Sequence, residues 1–351
     1  MAYLPLSTAN LPDPAIDPAQ GSSPQDYFDI DTYAGTSATH ERSNFTFQPD
    51  WLWFKRRSGA DNHIVNDVIR GAGKDLKTNE TGAEGTATTS LLSFDADGFT
   101  LGTGGDLNQS GQTFVAWAWK AGTSVSGSTT GSGTSQSYTG SVSPISGFGI
   151  IGYAGNGTAG HSIPHHLDSA PEVVIVKRRT GADNWAVTTP DVNRLYLNGT
   201  NDAASINYNW ADQDGSVVTL NGTDAFMNAT SNTYIMYCFH SVEGFSKFGS
   251  YEGGSDAFVY TGFRPAMIIC KNIDSGTAKW GVKDSTRSTI NPTRNTLYPN
   301  DSLTEYTGTL HDVDFLSNGF KLRNADAVWD GSGTYIYMAF AENPFKYSNA
   351  R

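Results

Sequence analysis

The apolar positions of this chain fall in short runs of five to seven residues, each closed off by Gly, Asn, Asp or Ser, the pattern of β-strands joined by turns. No window of a dozen residues carries apolar side chains at the 3.6-residue spacing of an amphipathic helix. Three of the runs match one another. Pro49 to Lys55 (PDWLWFK), Pro171 to Lys177 (PEVVIVK) and Pro265 to Lys271 (PAMIICK) each place a Pro, five mostly apolar residues and a Lys at one spacing. Tyr-x-Gly precedes each copy (Tyr33 and Gly35, Tyr153 and Gly155, Tyr251 and Gly253), and Asp-x-x-Arg follows it (Asp67 and Arg70, Asp191 and Arg194, Asp284 and Arg287). Each copy then closes with an Asp-Gly or Asn-Gly turn at Gly98, Gly215 or Gly319, where positive φ is expected, and a final strand, TFVAWAW, TYIMYCF or TYIYMAF.

One unit is therefore written three times. The predicted architecture is all-β: three tandem antiparallel β-sandwich repeats of jelly-roll or concanavalin-like type, at 26–122, 147–243 and 244–351, behind a short extended N-terminal arm, 1–25. Residues 123–146 are almost entirely Gly, Ser and Thr and read as a linker. Linker and arm are expected to lie against neighbouring subunits, whereas the second and third units, which adjoin without a linker, are expected to pack rigidly. In the first copy Trp51 and Trp53 alternate with Leu52 and Phe54, so both faces of that strand must be covered.

Composition narrows the function classes. A net charge of −12 repels phosphate backbones and anionic lipid, so no nucleic-acid partner is expected. No apolar stretch is long enough for a membrane-spanning helix, so no membrane insertion is expected. Cys238 and Cys270 each sit inside an apolar run and read as buried reduced thiols of a protein folded in a reducing cytoplasm.

Candidate chemistry is sparse. Lys55, Lys177 and Lys271, with Asp67, Arg70, Asp191, Arg194, Asp284 and Arg287, recur in every copy and read as scaffold, since a position common to all copies is most simply required by the fold. His161, His165 and His166 cluster, but Pro164 and strand alternation oppose their convergence on a metal. The doublets Asp29 and Asp31, Asp95 and Asp97, and Asp312 and Asp314 lack the rest of a calcium loop. No nucleophile elbow, phosphate loop or zinc-protease motif is present, and neither a catalytic residue, a cofactor nor a bound metal is expected. Trp210 and Trp329 lie in polar, loop-like surroundings and are the candidate ligand-binding rings. Specificity is expected where the copies differ, at 36–46, 156–169, 198–214 and 299–311.

The segments PDWLWFKRRSGADNH, SFDADGFTLG, TFVAWAWKAG, GFGIIGYAGNGTAGHSIPHHLDSAPEVVIVKRR, VDFLSNGFKLRN and TYIYMAFAENPFKYSNAR resemble a tandem-repeat family of tail-fibre-like virion proteins in marine and environmental tailed bacteriophages. The resemblance implies a non-enzymatic structural protein of the virion, part of a tail fibre or other host-contacting appendage. It also implies a homo-oligomer, with a trimer favoured, that contacts other virion proteins and a host-surface glycan or protein. A head decoration or head-tail accessory protein anchored by its N-terminal arm is the alternative, and a glycan depolymerase a third.

Overall fold

Strand Trp51–Arg56 is buried on both faces, and alternation sends its two sets of side chains into different cores. Leu52 and Phe54 join Tyr33, Phe99 and Phe114 in a core belonging to the first unit alone. Trp51 and Trp53 point the other way, into a second core that all three units share. The same division holds for Val173–Arg178 and Phe263–Asn272: Val173, Ile175, Met267 and Ile269 enter the shared core, while Val174, Val176, Ile268 and Cys270 enter the private ones.

Each unit is built the same way in the computed structural model, which describes residues 11–204, 208–254 and 256–348. A larger antiparallel sheet faces the shared core and a smaller one covers its outer side. In the larger sheet the unit's last strand lies between its first strand and its Lys-bearing strand. The triplets are Phe28–Ala34, Thr113–Trp119 and Trp51–Arg56; Phe148–Ala154, Thr233–Phe239 and Val173–Arg178; Ser246–Gly253, Gly333–Pro344 and Phe263–Asn272. The smaller sheets hold 40–42, 91–95 and 98–101; 130–131, 161–164, 211–213 and 217–220; and 258–260, 313–316 and 319–322. The protein is an all-β chain of antiparallel β sandwiches, as the apolar pattern predicts.

The three larger sheets close around the shared core. Trp119, Phe239 and Phe340 hold equivalent places in the three last strands, each opposite the first residue of its unit's first strand, and meet there, Trp119 and Phe340 at 5.5 Å and Phe239 and Phe340 at 6.0 Å between ring centroids. Trp51 bridges the first two units, stacked at 4.6 Å on Tyr237. The units interlock in one cyclic sense. Trp185 Nε1 of the second donates to the Lys77 carbonyl of the first at 2.9 Å, and Trp280 Nε1 of the third to the Tyr196 carbonyl of the second at 3.0 Å. Arg179 pairs with Glu84 (2.8 Å), and Arg57 with Glu305 (2.9 Å) from the first unit to the third. A threefold arrangement of sandwiches is therefore present within one chain.

Three expectations need correction. The tract 123–146 is no linker. Thr123–Ser128 and Ser137–Ser143 extend the second unit's larger sheet, pairing with each other and then with Phe148–Ala154. Tyr138 and Val142 supply its buried side chains, and Gly140 is required because a Cβ there would meet Ile151 Cδ1 at 2.5 Å. A Gly/Ser/Thr composition reads as flexible because it lacks apolar bulk, yet Val125 on one strand and Tyr138 and Val142 on the other are enough when a finished sheet edge supplies the hydrogen bonds.

Described arm residues 11–25 pack against their own chain. Ile16 is fully buried in the shared core, Tyr347 Oη donates to Asp17 at 2.6 Å, and Gln25 Nε2 donates to the Glu342 carbonyl at 2.6 Å. Residues 1–10 fall outside the described residues. Lastly, Gly98, Gly215 and Gly319 are not among the glycines with positive φ. Gly98 and Gly319 begin the strands after their turns, where a Cβ would meet the Arg42 carbonyl oxygen at 1.7 Å and that of Val259 at 2.0 Å. Close approach of a neighbouring strand, and not turn geometry, fixes those two.

Candidate functional site

The recurring positions are consumed by the fold. Lys55, Lys177 and Lys271 are buried, and each folds its ammonium onto loop carbonyls: Lys55 Nζ to Arg56 O at 2.7 Å, Lys177 Nζ to Arg178 O at 2.9 Å and across the junction to Thr81 O at 3.2 Å, Lys271 Nζ to Asn272 O and Ser275 O. Burial lowers all three to about 8.

The Tyr-x-Gly motif is a clasp. Tyr33, Tyr153 and Tyr251 donate to the carbonyls of Leu107, Met227 and Trp329 at 2.9, 2.6 and 2.7 Å. The following glycines lie so close to the next stretch of backbone that a Cβ would meet Gln109 O, Ala229 O and Gly331 O at 2.1, 2.5 and 2.3 Å. Asn108, Asn228 and Asp330, all fully buried, complete it by accepting from the backbone N–H of Thr36, Asn156 and Gly254. Sequence reasoning missed these three. Their signal was an Asn or Asp four or five residues before the Thr of each final strand.

Two of the three Asp-x-x-Arg pairs form. Arg70 Nε bonds Asp67 at 2.5 Å and Arg287 Nε bonds Asp284 at 2.5 Å, with all four side chains fully buried. Each aspartate also accepts from the last strand of the next unit in the ring, Tyr237 Oη on Asp67 at 2.7 Å and Trp117 Nε1 on Asp284 at 2.9 Å. Asp191 and Arg194 do not join them. Alignment on His63, Trp185 and Trp280 places Thr189 opposite Asp67 and Asp284, and Val192 opposite Arg70 and Arg287. Asp191 instead occupies the tight turn between Ala186–Thr189 and Val192–Tyr196, and the Arg194 guanidinium lies among the rings of Tyr196, Tyr208 and Phe226 at 5.6, 5.4 and 5.1 Å. The spacing match in the second unit is two residues out of register.

The ligand-ring expectation fails as well. Trp210 is 0% and Trp329 1% exposed. Each plugs the private core of its unit, Trp210 edge-on to Phe226 and Trp329 beneath the Lys283 ammonium at 5.2 Å. Polar neighbours in sequence mark an irregular segment, but that segment crosses between two sheets and turns its largest side chain inward.

The histidines do not converge. His161 bridges Asn228 Oδ1 (2.9 Å) and Thr129 Oγ1 (2.7 Å), His165 lies against the Asp214 carbonyl and the Leu167 N–H, and His166 meets Tyr138 Oη. Thr129, His161 and Asn228 have the connectivity of a hydroxyl nucleophile, its base and an orienting amide. Thr129 is only 2% exposed, however, and Asn228 is already the clasp residue. Of the aspartate doublets, Asp31 is held by Arg42 and Asn44, Asp312 by Arg294, Asp314 by Arg323, and Asp95 by Thr100. Among the described residues no group of three or more His, Cys, Asp or Glu is placed to hold a metal. Both cysteines are buried and unbridged, their thiols pushed up by burial.

What remains open is at the seams. Clefts of about 380, 170 and 320 Å³ follow the hairpins of the first, second and third units: beside Asp50 and Ile69, beside Glu172 and Asp191, and beside Asp29, Ser285 and Thr286. A fourth, of about 410 Å³, lies between Pro12 and Pro14 of the arm and Lys247, Tyr260 and Lys346. Burial raises Asp50, and burial reinforced by Asp31 raises Asp29 to about 6. These clefts offer carboxylates and backbone for binding.

Comparison with curated proteins and comparison with solved structures each find no match. The model of one family, described as "Domain of unknown function (DUF7483)", matches residues 23–344. That span runs from the capping box at Ser23 and Asp26 to the end of the last strand at Pro344, so the family corresponds to the whole ring of three units. The chain belongs to the DUF7483 family.

Proposed function

We propose that this protein is a non-enzymatic structural component of a tailed-bacteriophage virion, part of a tail fibre or another appendage that contacts the host. It would act by weak contacts multiplied over many copies on one particle. The observation that carries this reading is the use made of the recurring residues. Buried lysines, tyrosine clasps and two buried ion pairs all hold three sandwiches around one aromatic core, leaving the exposed parts of the divergent loops, such as 36–39, as outer surface. Self-association into a homo-oligomer, with a trimer favoured, belongs to the same proposal.

The test is adsorption of labelled protein to host cells with surface polysaccharide as competitor, alongside its localisation on intact particles by gold-labelled antibody. Saturable adsorption that the polysaccharide blocks, with label on the tail, is the expected result. Label confined to the head shell would favour a decoration protein, and release of reducing sugar from the polysaccharide would overturn the non-enzymatic reading.

A further inference from the structure

The third seam is where the internal symmetry fails, and it fails by loss of bulk. Between the first and second units, and between the third and first, the space behind the hairpin is filled by an aspartate, an arginine and a ring that bonds the aspartate. Between the second and third units those places fall to Thr189, Val192 and Met338. Three large groups have become a hydroxyl, an isopropyl and a thioether, and Thr189, Trp280 and Met338 line a cavity of about 170 Å³, whereas the larger clefts at the other two seams are not lined by the ion-paired residues.

Its lining is specific. Phe248, Trp280, Ile336 and Met338 form apolar walls, and Glu172 and Asp191 also line it. The Thr189 hydroxyl is buried in the same wall without a hydrogen-bond partner, an unfavourable condition unless something satisfies it. Glu172 accepts one backbone bond, from Ser241, which leaves acceptor capacity on that carboxylate. The volume suits a ligand of roughly five to eight non-hydrogen atoms.

We propose that this cavity binds a small organic cation, an ammonium or guanidinium group on a short apolar stem, replacing from solution the charge and volume that the other two seams hold covalently. The cation bonds Glu172, Asp191 and the Thr189 hydroxyl, and the stem lies along Phe248 and Trp280. Binding does not depend on where in a particle the protein resides.

The probe is n-butylguanidinium, titrated into the full-length protein and followed by saturation-transfer NMR and Trp fluorescence. Saturable binding is expected, weakened about tenfold or more by Glu172→Gln or by changing to the neutral n-butylurea. The double variant Thr189→Asp with Val192→Arg should restore the ion pair and abolish binding. Met338→Trp, which fills the cavity from the opposite wall with the ring found at Trp117, should do the same with no buried charge to place. No saturable binding to the wild-type protein, equal affinity for butylurea, or undiminished binding to a folded cavity-filling variant would each overturn the proposal.

Discussion

At the scale of residues, the buried ion pairs and the lysines carry separate, opposite lessons. Removing one partner of a fully buried pair strands the other, at a cost of about 3–5 kcal/mol. Arg70→Met and Arg287→Met should therefore lower the denaturant midpoint strongly. Arg194→Met loses only contacts with three rings, worth about 0.5–2 kcal/mol, and should lower it far less. Chemical denaturation of the three variants compares them directly. Trp329→Ala should cost about 3–5 kcal/mol by leaving a void in the third private core, and a matching loss of melting temperature would show that ring to be structural. The lysines set a pH dependence. Lys55, Lys177 and Lys271 lie near 8 and Lys283 near 7 in the fold, while an unfolded lysine holds its proton to about 10. The unfolded chain thus binds more protons between pH 7 and 10, so stability rises with pH across that window. Calorimetry from pH 7 to 9.5 should show the melting temperature climbing, and a flat or falling profile would mean these amines stay charged in the fold.

At the scale of elements, the strands and the repeat were legible because each copy restates the same apolar runs, so three weak signals confirm one another. The Tyr-x-Gly motif was visible in sequence, but its purpose was not, since the carbonyl it clasps lies about 75 residues downstream. Asp191 and Arg194 misled for the complementary reason: spacing alone cannot tell the longer turn after Ile64–Asp67 from the two-residue turn after Ala186–Thr189. Strands Thr123–Ser128 and Ser137–Ser143 escaped because Ser and Thr carry little apolar signal of their own. Their edge role makes a prediction. Deleting 123–143 would bare the Phe148–Ala154 strand, and the variant should aggregate on light scattering at concentrations where the intact protein does not. Substituting Ala for Gly35, Gly155 or Gly253 should cost about 1–3 kcal/mol at each of the three clasps, because the same backbone contact is lost each time. A similar loss at all three is the measurable sign of a shared role.

At the scale of the whole molecule, the shared core was only half legible. The two-sided burial of Trp51–Arg56 follows from its unbroken apolar run, but nothing in one copy says that its second face is covered by the other two. A core assembled from three units also couples their unfolding. A single calorimetric transition, with equal calorimetric and van't Hoff enthalpies, is expected, in place of three transitions for three independent sandwiches. Closure by the N-terminal segment on the last strand has a kinetic counterpart. A ring of three separate chains assembles by collision, and dilution takes it apart. Here every sheet is tethered to the next, so closing the ring is a first-order event whose rate and equilibrium do not change with protein concentration. One translated polypeptide fixes the stoichiometry at the moment of synthesis, and it frees each of the three positions to diverge without altering the other two.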